Sequence, residues 1–538
     1  MALSPSAHLD TFCRDNLPPC ELWPHIEMTL DELRYPARLN CASALLDEQV
    51  AALGADRPCL ISPTQRWTYG ELQRRANQVA QVLTENYGLL PGRRVLLRGP
   101  NNPWLLACWF GVVKAGGVVV TTMPLLRSHE LGKLVELTKS TLALCDHRFG
   151  EELTGVSDAL TTVSYGGAGA KDLAAQCETM SGAFTNADTA ADDVMMLAPT
   201  SGTTGVPKAT MHFHRDVLAI ADTFSRHVLR PCADDVFTGT PPLAFTFGLG
   251  GLVIFPLRVG ASTVLLENAT PAELAAAVDE HGVTVLFTAP TAYRAILREG
   301  KAGQLGALRR CVSAGEHLPA AVWREFRDAT GVGIIDGIGA TEMLHVFIAA
   351  ADDEIRPGST GRAVPGYRAA ILDDDGELVP DGTAGRLAVI GPTGCRYLTD
   401  DRQRVYVDRG WNITGDTYIR DADGYFWFQA RSDDMIISSG YNIAGPEVEE
   451  VLGGHPDVAE CAVVGRPDPD RGMIVHAAVV LAPGVVGDEV KVRELQSYVK
   501  QTSAPYKYPR SVEFLDALPR TESGKLQRYK LRTSGVLQ

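Results

Sequence analysis

Between Thr68 and Asp336 the chain alternates short apolar runs with segments of helical period. This rhythm restricts the fold more than any other feature of the sequence. Thr68 and Glu71 have the spacing of a capping box. Leu72, Ala76, Val79 and Leu83 follow at intervals that keep one helix face apolar. Residues 95–97 read as a strand, 103–113 as a helix and 118–120 as a strand. After residue 260 the pattern resumes: strand 262–266, helix 272–280, strand 283–287, helix 291–297, strand 311–313, helix 320–329, strand 333–336. Strand–helix–strand units place successive strands parallel and helices on both faces. The fold class predicted is α/β, with parallel sheets flanked by helices.

The rhythm fails at both ends. Residues up to about 55 are rich in Pro, Asp and Leu without a clear period, and read as a wrapping segment. Between 358 and 430 come short alternating segments split by Gly, Asp and Pro, including the hairpin signal Asp423-Gly424. They predict a small β-barrel-like or antiparallel subdomain. Beyond a boundary at 431–434, Pro446 is placed to open a helix, and strands at 461–464 and 475–481 precede a helix at 490–500. The expected organisation is a large unit over 1–430, a hinge over 431–434 and an α+β lid over 435–538.

A formal net charge of −15 over 538 residues argues against nucleic acid or an anionic membrane as a partner. An anionic ligand must then be held by local groups. The eleven cysteines are odd in number and contain no C-x-x-C pair, which fits reduced thiols in a cytoplasmic protein. The start of the chain has no basic region followed by an apolar run. The apolar stretch 104–120 is broken by Lys114, Gly116 and Gly117, short of the ~20 residues a membrane span needs.

Chemistry concentrates in Pro199-Thr200-Ser201-Gly202-Thr203-Thr204-Gly205-Val206-Pro207-Lys208, which follows the apolar run 194–198. Glycine lets backbone approach a ligand closely, successive backbone N–H groups form an anion site, and Lys208 adds a cation. These are the groups that hold a polyphosphate. The glycine and lysine spacing differs from that of the Walker loop. The run resembles the phosphate loop S-G-T-T-G-x-P-K-G of the adenylate-forming superfamily, with Ala209 in place of its last glycine. Four further motifs follow in the superfamily's order: Asp336-Gly337-Ile338-Gly339-Ala340-Thr341-Glu342, Thr414-Gly415-Asp416, Arg431 with Asp433, and Pro519 to Gly524-Lys525.

The resemblance implies roles. Thr200, Ser201, Gly202, Thr203, Thr204, Gly205 and Lys208 would hold the phosphates of ATP. Asp336, Gly337, Ile338 and Thr341 would line the nucleotide site, with Ile338 where many relatives carry Tyr. Asp416 would accept from the two ribose hydroxyls, Arg431 would bind ribose or phosphate, and Glu342 would ligate Mg²⁺ as a hard oxygen donor. Lys525 would reach the carboxylate and α-phosphate. Asp433 would be the pivot about which the lid turns before CoA attacks. Ser438, Ser439, Gly440 and Tyr441 would then face CoA.

The acid site is expected along Phe245, Thr246, Phe247 and Gly248, with Gly315, Ile338, Gly339 and His345. Amino-acid-activating relatives carry an Asp at the position aligned with Phe245, so no partner for an α-ammonium is present there. The stretches 313–316 and 337–345 resemble benzoate-type CoA ligases, in which the residue matching His345 lies beside the substrate carboxylate. Residues 8–12 and 16–19 resemble 2-aminobenzoate–CoA ligases. The implied activity is aryl-CoA ligation of benzoate, 2-aminobenzoate or salicylate by a monomer or homodimer using ATP, Mg²⁺ and CoA. The alternatives are aryl loading of a carrier protein and a non-catalytic nucleotide-binding member. The second should have lost Lys525, Glu342 or Lys208, and all three are present.

Overall fold

The structure, a computed structural model, describes Leu3 to Thr533 apart from residues 201–206, 432–435, 439–440, 469–470, 504 and 521–525. Two sheets carry most of the chain. The first has nine strands, in the order 362–363, 346–349, 334–339, 310–313, 285–288, 236–239, 262–264, 58–61 and 66–68. Its interior strands, 334–339 through 58–61, are parallel, and antiparallel strands close both edges. The second has six strands, in the order 161–165, 142–146, 94–98, 118–122, 194–200 and 208–213. Only its last pair is antiparallel. Strands 94–98 and 118–122 are buried along their whole length, as strands covered on both faces must be.

Local signals fix the elements. Thr68 Oγ1 accepts from Glu71 N at 3.2 Å, and Glu71 Oε2 accepts from Thr68 N at 2.8 Å, so the capping box forms. Helix Pro103–Lys114 starts on its proline, with Asn102 accepting from Leu105 N at 3.0 Å. The N-terminal segment wraps the second sheet: Ala7 N donates to Asp193, and Leu9 N and Asp10 N both donate to Pro91 O. One difference is that residues 43–53 are helical, as a π turn and a short α-helix. Their buried positions, Ala44, Leu45 and Leu46, are consecutive, which hides a helical period in the sequence.

Residues 368–431 form a five-stranded antiparallel sheet, in which 411–420 pairs with 384–390, 407–408 and 426–431. A second five-stranded sheet follows, with the order 441–443, 436–438, 472–481, 458–468 and with 511–514 added parallel to 472–481. Helices Gly445–Gly453 and Glu489–Thr502 cover it through Val448, Leu452, Leu495 and Val499. Pro446 is the second residue of its helix, one position later than the sequence implies. All eleven cysteines are free thiols, and eight are buried.

Candidate active site

Lys208 opens the edge strand Lys208–Phe213, in register with Thr200 on the strand before it. The loop between them, which holds Ser201, Gly202, Thr203, Thr204 and Gly205, lies outside the described residues. Residues 396–398 lie along the outer side of Lys208–Phe213. Met211 N donates to Arg396 O at 2.7 Å, and Leu398 N to Ala209 O at 2.9 Å. This added pairing carries Tyr397 to Lys208, whose Nζ is 4.1 Å from the ring centre and bonded to the hydroxyl. Lys208 Nζ also lies 3.2 Å from Glu342 Oε1, and Tyr397 O–H donates to the same carboxylate. Burial, then the charge of Glu342, push the Tyr397 hydroxyl far above its ordinary pKa, so it stays protonated and acts as a donor.

Glu342 is reached by the 3₁₀ turn Thr341–Met343, which follows strand Ile334–Gly339. His212 supports that turn: its Nε2 lies 2.9 Å from Thr341 O. Burial lowers the His212 pKa to about 4, so the ring is neutral and Nε2 carries the hydrogen. Behind it, the fully buried pair Arg396–Asp216 spans 2.9 Å.

Asp336 sits beside Ser313 in the parallel register of two neighbouring strands. Burial raises its pKa to about 8, which leaves the carboxyl protonated at neutral pH. Asp416 faces Arg431 across an antiparallel pair. The buried Tyr418 hydroxyl bonds Thr360 at 3.3 Å, and burial, then Asp416 and finally Asp336, raise its pKa. Thr200 Oγ1 and Ser313 Oγ are buried without a hydrogen-bond partner among the described residues. The donors fit a magnesium nucleotide. Mg²⁺ takes one or two carboxylates and completes its shell with phosphate and water, and Glu342 is a carboxylate beside a lysine.

A separate cluster forms around His345. Phe255 meets its ring edge-on at 4.6 Å, and Phe224, Phe247 and Phe287 have centroids at 5.4, 5.6 and 6.4 Å. Burial lowers the His345 pKa to about 3, so the ring is neutral. Neither nitrogen has a well-formed hydrogen bond among the described residues, and the polar group acting on the ring is the Phe247 backbone. A π turn over Gly250–Ile254 brings backbone against these rings. A Cβ on Gly250 would stand 2.3 Å from His345 Cδ2, and one on Gly251 would stand 2.5 Å from Phe287 Cδ1. Asn101 fixes the preceding turn by donating to Pro241 O at 3.0 Å and accepting from Leu243 N at 2.8 Å.

The structure thus brings Lys208, Thr341 and Glu342 to one place, and Phe247 to His345. Phe245 is 36% exposed and makes no ring contact among the described residues. Thr246 begins the helix that continues through buried Gly248. Gly337 and Gly339 flank partly buried Ile338, where the strand is irregular, and Gly315 turns with φ +89°. Lys525, Asp433, Ser439 and Gly440 lie outside the described residues. Ser438, 2% exposed, and Tyr441 face each other in a hairpin. The sequence reading missed Tyr397, which carries no motif, and Phe224, Phe255 and Phe287, each unremarkable in its own segment.

Residues 46–397 match the model of the AMP-binding enzyme family, and residues 447–525 match that family's C-terminal domain. The chain belongs to the AMP-binding enzyme family. Within it, the chain is 36% identical to the benzoate–CoA ligase of Thauera aromatica, over 93% of this chain and 97% of that protein. It is 34% identical to the mitochondrial acyl-coenzyme A synthetase ACSM3 of Mus musculus, over 87% of this chain and 84% of the relative. Among solved structures, an anthranilate CoA ligase, AuaEII, in complex with anthranoyl-AMP superposes with a TM-score of 0.88 at 34% identity. That match covers 94% of this chain and 98% of the other. The shared architecture is a large N-terminal domain of parallel sheets and a smaller C-terminal domain. No helix among the described residues is long and apolar enough to cross a membrane.

Proposed function

We propose that this chain is an ATP-dependent aryl-CoA ligase that activates benzoate or an ortho-substituted benzoate, 2-aminobenzoate or salicylate, in the cytoplasm. The observation that carries the reading is the ring-lined cluster of Phe224, Phe247, Phe255 and Phe287 around a neutral His345. A flat ring gains offset or edge-on contacts with such walls. An ammonium buried there would be desolvated without a partner. The similarity to benzoate and anthranilate ligases supports the same class.

In the first half-reaction a carboxylate oxygen of the acid attacks the α-phosphorus of ATP, and the bond to the departing pyrophosphate breaks. Lys208 and the loop it closes hold the phosphates, while Asp336 and Asp416 hold adenosine. Mg²⁺, when bound at Glu342, offsets phosphate charge. Tyr397 and Lys208 orient that carboxylate, and His345 offers its ring N–H to the acid. Lys525 adds a positive charge where negative charge develops, a contribution worth about 2.7–4 kcal/mol per donor in comparable sites. The C-terminal unit, 435–538, then turns about Asp433. The thiol of CoA attacks the acyl carbonyl and expels AMP, with Ser438, Ser439, Gly440 and Tyr441 along the thiol's approach.

The test is AMP and pyrophosphate release, with and without CoA, over substituted benzoates, octanoate and phenylalanine. Benzoates should give the highest kcat/KM, and AMP release should require CoA with no added carrier protein. A medium-chain fatty acid or an α-amino acid as the best substrate would overturn the aryl assignment.

A further inference from the structure

Arg520 joins the two parts of the molecule. Its Nη1 lies 3.4 Å from Glu316 Oε1, in the large N-terminal part, and its Nη2 donates to Glu460, on strand Val458–Asp468 of the C-terminal sheet. Glu316 follows Gly315 just beyond strand Arg310–Ser313, whose Ser313 is in register with Asp336. The ion pair therefore stands at the same end of the sheet, past the C-terminal ends of parallel strands, as the motif 336–342. Arg520 also closes a loop. It pairs with Leu526, and Gln527 N donates to Pro519 O at 2.8 Å. Residues 521–525 of that loop, Lys525 included, lie outside the described residues, but its base is anchored to Glu316 through Arg520.

The residue after Glu316 packs within the N-terminal part, beside the boundary. His317 stacks on Phe428 with centroids 5.6 Å apart. Burial lowers its pKa, and Glu449 and Arg528, an ion pair of the C-terminal part, are the charges that act on it.

We propose that Glu316 and Arg520 form a latch that holds the C-terminal part over the nucleotide cleft during adenylation and opens before the thiol attacks. The inference rests on the two-step reading above. Glu316 and Arg520 are positioning residues: they meet across the two parts and bias how the C-terminal part sits. Their side chains are 23% and 28% exposed, so water competes for the pair. A pair of this kind biases an equilibrium roughly two- to five-fold. That is enough to favour one arrangement and weak enough to release on every turnover. Glu460 lies in the same part as Arg520, so its contact is kept in either arrangement.

The experiment uses the full chain with E316Q, R520Q, the double variant and E460Q as control, and times the two half-reactions separately. Pyrophosphate release from ATP and acid reports the first. Thioester formation from pre-formed acyl-AMP and CoA reports the second. Each latch variant should slow the first half-reaction roughly two- to five-fold and leave the second equal or faster. The double variant should be no slower than R520Q alone, because E316Q breaks only a contact that R520Q has already broken. E460Q should not separate the half-reactions. Equal loss in both half-reactions, no loss in either, or losses that add in the double variant would overturn the latch. Thermal unfolding of each variant checks that the fold is kept. The functional reading is judged on the unaltered chain, and the latch on the ratio of variant to unaltered chain with any acid that chain activates, so the two can fail separately.

Discussion

The ring of Tyr397 lies 4.1 Å from Nζ of Lys208, so the lysine proposed to hold phosphate rests on an aromatic face. Its hydroxyl also donates to Glu342. Tyr397→Phe keeps the face and removes the donor. A hydrogen bond to a charged group contributes about 1.5–3 kcal/mol, which predicts roughly a 10- to 100-fold fall in kcat/KM for MgATP. The KM for the acid should not change. Initial rates of pyrophosphate release at varied MgATP and varied acid check both. An unchanged kcat/KM for MgATP would remove Tyr397 from the site.

Asp336 gives a pH dependence. Burial raises its pKa from 3.8 to about 8, so folding favours the protonated form. The stability this contributes is fully present below pH 3.8 and is lost as pH rises through about 8. From about pH 4 to about 8 the Tm should therefore fall, and level off above that, a dependence that Asp336→Asn removes, since the amide cannot ionise. ATP affinity should weaken as pH rises through about 8 in the unaltered protein and stay level in the variant. Parallel Tm slopes in the two proteins would rule out this assignment of the titration.

His345 predicts opposite signs for activity and stability. Its nitrogens lack well-formed hydrogen bonds among the described residues, in a ring-lined site. His345→Phe removes a buried polar group that has nothing to lose, so the Tm should hold or rise. The kcat/KM for benzoate should fall at least ten-fold, which is the loss of about one hydrogen bond, with the KM for ATP unchanged. A Tm drop with activity retained would make the residue structural.

Lys525 is proposed to act in one half-reaction only. Lys525→Ala should cut acyl-AMP formation by a factor of about 100 or more and leave thioester formation from pre-formed aryl-AMP nearly intact. Equal loss in both would sink the proposal that the lysine serves adenylation alone.

Much of the fold was legible because its signals are local. The capping box at Thr68, the proline at 103 and the apolar runs at 95–97 and 118–120 each fix one element within a few residues. That Lys208 and Glu342 belong to one site was legible through their motifs, and the two side chains meet. The groups holding them were not. Tyr397 reaches Lys208 across 189 positions through a three-residue pairing too short to leave a pattern. The rings around His345 come from segments near 224, 247, 255 and 287, and none of these lies in a local window of sequence with His345. The π turn at Gly250–Ile254 escaped because a helix with one wider turn has no single period.

The pairing of 396–398 with Lys208–Phe213 also bears on how the chain is made. Lys208–Phe213 is the outermost strand of its sheet, and until residues 396–398 emerge it presents an open row of backbone donors and acceptors. Such an edge pairs with whatever strand is near, and contacts so distant in sequence form late. The segment that seals this edge is also the one that seats Tyr397 on Lys208. A substitution that slows its docking should therefore yield inactive chain and aggregated chain together, since one event completes the lysine's surroundings and hides the edge.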